Sequence, residues 1–116
     1  MLVFFNEMPL GGRIMTAETI SREHSVFYLH RDSRGRFILL GYYLDLTSRE
    51  YDILNYIFEA HPAPCPREDI AKAVDGLSPD SVAVFVNLIN KKSHAIGGRK
   101  LILSRRGAGY YLNEFM

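Results

Sequence analysis

The chain has 116 residues, 47% of them hydrophobic, with 14 Lys+Arg against 13 Asp+Glu for a formal net charge of +1; that is the size and balance of one globular domain able to bury a core unaided. One cysteine, Cys65, excludes an internal disulfide and any multi-cysteine metal site and suits a reducing compartment, so a cytoplasmic location is expected. No apolar run nears the roughly 20 residues of a membrane helix, and Met1-Leu2-Val3-Phe4-Phe5 lacks the pattern of a signal peptide.

Residues 1–25 read as an N-terminal extension. Its residues 2–5 could add one strand, Pro9-Leu10-Gly11-Gly12 breaks the pattern, and residues 14–24 are weakly periodic. The folded domain is expected over 26–116. Val26-Phe27-Tyr28-Leu29-His30 is rich in strand formers, and a polar turn at 31–36 leads to Phe37-Ile38-Leu39-Leu40, which predicts a hairpin. Gly41 permits a break or bulge before residues 42–46, giving a small antiparallel sheet of three or four strands.

Thr47-Ser48-Arg49-Glu50 is a capping box, and Tyr51, Leu54, Ile57 and Phe58 follow at helical spacing until Pro62. Pro66 can open a short second helix carrying Ile70, Ala71 and Val74, and Asp75-Gly76-Leu77-Ser78 turns tightly into a third. There Ser78 is a plausible N-cap and Pro79 fits N1. Val82, Val86 and Ile89 recur toward a core, while Asp80, Ser81, Val84, Asn87, Lys91 and His94 face outward until Gly97-Gly98. Lys100-Leu101-Ile102-Leu103-Ser104 and Tyr110-Tyr111-Leu112 can pair as two strands across a turn holding Gly107 and Gly109. Tyr51, Phe58 and Tyr110 read as core. The whole is an α+β winged helix-turn-helix: an N-terminal antiparallel sheet, three helices and a C-terminal β-hairpin wing.

Charge is divided unevenly along this plan. Residues 1–79 carry 8 Lys+Arg and 11 Asp+Glu, net −3, whereas residues 80–116 carry 6 and 2, net +4. The basic excess sits in the third helix and wing, which points to a polyanionic partner.

Four segments resemble the winged-helix effector domain of OmpR/PhoB-type response regulators. They are Leu46-Thr47-Ser48-Arg49-Glu50-Tyr51-Asp52-Ile53-Leu54, Arg67-Glu68-Asp69-Ile70, Ser81-Val82-Ala83-Val84-Phe85-Val86 and, the most specific, Ser104-Arg105-Arg106-Gly107-Ala108-Gly109-Tyr110. The resemblance implies a transcriptional regulator of double-stranded DNA, with a recognition helix at about 79–94 in the major groove and a wing at about 100–112 in the minor groove. About 25 residues precede the matching part, fewer than the roughly 100 of a typical domain, so a stand-alone winged helix without a receiver domain is expected. A homodimer on paired half-sites, or a regulatory protein partner, follows from the small DNA surface one module covers.

The recognition helix departs from the family pattern. Asp80 stands where arginine is frequent, Asn87, Leu88 and Asn90 occupy positions often held by basic or polar contacts, and Phe85 replaces a frequent histidine. The candidate DNA contacts are therefore mixed. Ser81, Val84, Asn87 and Asn90 would meet the groove, Phe85 could meet a thymine methyl, Lys91, Lys92, Arg99 and Lys100 would hold phosphates, and Ser104, Arg105 and Arg106 would lie on the wing. An alternative reading makes the domain a protein-interaction or oligomerisation module with Phe85 and Leu88 at the contact. No cofactor or metal is expected, because His24, His30, His61 and His94 lack ligand spacing, and no catalytic constellation is present.

Overall fold

The computed structural model describes residues 24–97 and 99–114. Four short strands, β1 (His24–Val26), β2 (Leu29–Arg31), β3 (Phe37–Leu39) and β4 (Tyr42–Tyr43), form an antiparallel sheet in that order. Helices α1 (Ser48–Ala60), α2 (Arg67–Ala73) and α3 (Pro79–Gly97) follow, and β5 (Ile102–Arg105) pairs with β6 (Gly109–Leu112) as the hairpin.

The run at 26–30, expected as one strand, is two strands. Phe27 adopts φ +56°, so Val26 pairs with Leu29 across a two-residue turn and the chain reverses inside a run of strand formers. The next reversal has φ +52° at Leu40 and +86° at Gly41, a tight turn that replaces the expected bulge. Between them Asp32 organises the loop: its Oδ1 accepts the N–H groups of Arg34 at 3.0 Å and Arg36 at 2.9 Å, and its Oδ2 accepts the Arg36 guanidinium at 2.9 Å. Those bonds hold the Asp32 carboxyl below the usual range, the Arg36 N–H contributing most. The boundary drawn between 25 and 26 falls inside β1, and the rest of the extension, with its candidate strand at 2–5, lies outside the described residues.

The capping box is present at α1. Glu50 donates its N–H to the Thr47 hydroxyl at 3.4 Å, and the Glu50 carboxylate accepts the Thr47 N–H at 3.0 Å. One face of α1 buries Ile53, Leu54, Ile57 and Phe58 against Val26, Leu29, Phe37 and Leu39 of the sheet and Val82, Val86 and Ile89 of α3. Phe58 lies at the centre, edge-on to Phe37 with ring centroids 5.2 Å apart. Arg31, assigned in the sequence to a polar turn, instead ends β2 inside the protein. Its guanidinium lies 5.0 Å from the Phe58 ring centroid and donates to Asn55 at 2.6 Å and Glu59 at 2.5 Å on α1, so the buried charge is paired.

The helix-turn-helix is compact because α2 ends at Val74 and Gly76, with φ +74°, turns the chain at once. Ser78 then caps α3, its Oγ accepting the Ser81 N–H at 3.3 Å.

Candidate nucleic-acid interface

The stripe of α3 is as its spacing predicts. Val82, Val86, Ile89, Asn90 and Ser93 are buried, and Asp80, Val84, Asn87, Leu88, Lys91 and His94 are exposed. The hairpin stands beside this outward face. A groove of about 320 Å³ runs between them, lined in part by Asn87, Lys100, Ser104 and Tyr111.

Backbone bonds fix the hairpin to the helices. Cys65, in the connection before α2, exchanges both backbone bonds with Tyr110, each at 2.8 Å, and so adds an isolated bridge to β6. Gly109, with φ +119°, lies so close to this bridge that a Cβ would overlap the Cys65 carbonyl and Pro66 nitrogen. On the other strand the Asn90 amide clamps Ile102: Nδ2 donates to the Ile102 carbonyl at 2.9 Å, and the Ile102 N–H donates to Oδ1 at 2.8 Å. Ser93 Oγ donates to the Arg99 carbonyl at 2.8 Å. The orientation of the hairpin relative to α3 is thus set by interior bonds that leave its tip outside.

At that tip, Arg105 and Arg106 are exposed and Ala108 closes the turn by donating its N–H to the Arg105 carbonyl at 3.0 Å. The Arg105 guanidinium lies 5.2 Å from the Tyr111 ring centroid, which props it along the strand. Lys91, Arg99 and Lys100 are exposed, as is Ser104, so these five cations and Ser104 lie on or beside the outward face of α3.

Three expectations change. Asn90 is 9% exposed with both ends of its amide bonded to Ile102, so it is part of the interior and not a base contact. Lys92 reaches into the fold, where its ammonium lies 2.5 Å from the Glu50 carboxylate and from the Asp45 carbonyl. The buried Glu50 requires that partner. Burial raises its carboxyl pKa, but the bonds from Lys92 and the Thr47 N–H outweigh this and hold it below the ordinary 4.5. Phe85 is half-buried and packed on the core, leaving Val84 and Leu88 as the apolar side chains on the outward face. Ser81 is half-buried with its hydroxyl 2.9 Å from that of Ser78.

Asp80 extends at the start of α3 with its side chain 95% exposed, 3.8 Å from the Arg67 guanidinium, a pairing that screens it weakly. Cys65 is buried, and burial with the nearby Asp69 pushes its thiol up, so it stays protonated. The described residues contain no group of three or more His, Cys, Asp or Glu able to hold a metal, and no helix among them is long and apolar enough to cross a membrane. The signals that sequence reading missed were the Asn90 amide one position past the apolar stripe and the glycine beside a conformationally restricted proline segment.

No protein-family model matches the chain. It is 32% identical over 108 residues to the transcriptional regulatory protein PrrA of Mycobacterium tuberculosis, a match over 89% of this chain and 46% of that protein. It therefore spans about half the length of the curated relatives it matches. Among solved structures, the Klebsiella pneumoniae RstA DNA-binding domain in complex with the RstA box superposes with a TM-score of 0.66 at 21% identity, over 80% of this chain and 98% of that one. The response regulator DrrB, a Thermotoga maritima OmpR/PhoB homolog, gives 0.65 at 23% identity, over 79% of this chain and 44% of that one. Both share the sheet, the three helices and the hairpin wing.

Proposed function

The chain belongs to the OmpR/PhoB-type response regulators by its winged-helix effector domain, and from that premise we propose that it is a double-stranded DNA-binding regulator of transcription. In this reading α3 enters the major groove, the wing places Arg105 and Arg106 at the adjacent minor groove, and Lys91, Arg99 and Lys100 meet phosphates. A homodimer on paired half-sites in the cytoplasm supplies the contact area that one module lacks. The observation that carries it is the gathering of exposed cations around an outward helix face whose geometry to the wing is fixed by Asn90 and Cys65. Opposite charge at fixed spacing is what a duplex backbone selects.

Fluorescence anisotropy of a labelled random duplex pool and of the native upstream region, titrated over a salt series, tests this. Affinity should fall steeply with salt, and the Arg105→Ala/Arg106→Ala double variant should lessen that dependence by about two units of slope. Absence of binding at low salt would overturn it. The competing protein-interaction reading has less support, because Phe85, half of its contact pair, is packed on the core.

A further inference from the structure

The outward face of α3 carries an unusual set of side chains, and the role assigned to them here rests on the DNA-binding reading. Val84 is 57% exposed and Leu88 is 38% exposed, one helical turn apart, with Asn87 exposed between them. The helix contains no arginine. Guanine is read in the major groove by a bidentate Arg or Lys, and with Lys92 turned onto Glu50 only Lys91 projects from the outward face. The first half of the helix carries Asp80 and no cation at all.

Branched apolar side chains held in water are costly, and the apolar group that a major groove displays is the thymine methyl. An asparagine beside them matches the N6 donor and N7 acceptor of adenine. We propose that α3 reads A·T base pairs in the major groove, Val84 and Leu88 packing on thymine methyls while Asn87 bonds adenine. Side chains at i and i+4 stand about 5–6 Å apart, a span of fewer than two base steps of about 3.4 Å along one strand. Both contacts therefore fall within one short A·T run. The wing agrees independently, since the narrow minor groove of A·T tracts has the negative potential that attracts guanidinium groups such as those of Arg105 and Arg106.

The test uses a duplex recovered from a randomised pool by the wild-type chain and the same duplex with deoxyuridine in place of thymidine, which removes only methyl groups. Anisotropy at constant salt should show affinity falling about fourfold for each methyl contacted. In Val84→Ala and Leu88→Ala, whose thermal midpoints confirm folding, the ratio between thymine and uracil duplexes should move toward one. A recovered site rich in G·C, or equal affinity for the two duplexes, overturns this inference while the DNA-binding reading stands. Failure to bind any duplex at low salt overturns both.

Discussion

The N-terminal sheet and the wing are both small antiparallel structures resting on the same three helices, yet they are attached by different means. The sheet is held by side chains: Val26, Leu29, Phe37 and Leu39 enter the core and Arg31 crosses to Asn55 and Glu59 of α1. The wing is held largely through its backbone, at Tyr110 by Cys65 and at Ile102 by the Asn90 amide. Apolar burial tolerates small adjustments of angle, whereas paired hydrogen bonds fix register and direction. An element anchored through its backbone also keeps its tip side chains available. The sheet serves as a support, and the wing is fixed at its base while presenting its tip.

The contrast can be broken most severely at Gly109. Gly109→Ala adds a Cβ where the Cys65 carbonyl already lies, in a backbone conformation that alanine resists, and should destabilise by about 3 kcal/mol or more. A urea midpoint equal to wild type would mean that the bridge does not hold the wing. Asn90→Ala comes next. It leaves the buried Ile102 N–H and carbonyl without their amide partner, a loss of about 2–3 kcal/mol, measured by urea unfolding beside DNA affinity.

Glu50 sharpens the comparison on the helix side. Its folded pKa lies below the unfolded 4.5, so its contribution is complete above that value and is lost as pH falls through the folded pKa. Glu50→Gln should cost about 1–2 kcal/mol at pH 7 and flatten the stability profile below pH 4.5, which chemical denaturation across a pH series will read. The smallest stability effect belongs to the wing tip. Arg105→Ala/Arg106→Ala should change the unfolding free energy by less than about 0.5 kcal/mol, since both side chains are exposed; a larger change would show that the tip supports the fold.

Much of this plan was legible in local chemistry. The Thr47/Glu50 cap, the Val82, Val86 and Ile89 stripe and the glycines of the wing each carry their signal within a few residues. The turn at Phe27 was not legible, because a non-glycine residue at positive φ inside a run of strand formers is placed there by tertiary packing and not by its own preference. The site divided in the same way. Periodicity correctly turned Val84, Asn87 and Lys91 outward, but Asn90 lies at the border of the buried stripe, and the long stem of Lys92 lets its charge reach the interior from a helix side that looks solvated. Both depend on partners remote in the chain, Ile102 and Glu50, which no spacing rule identifies.

The tight turn at Leu40 bears on the far end of α3. A Cβ at Gly97 would collide with the Leu40 Cδ1, so a turn in the first third of the chain sets how bulky the last residue of the recognition helix can be. Homologous chains should therefore exchange these two positions as a pair: a smaller residue at 40 wherever 97 gains a side chain, and glycine kept at 97 wherever leucine stays at 40.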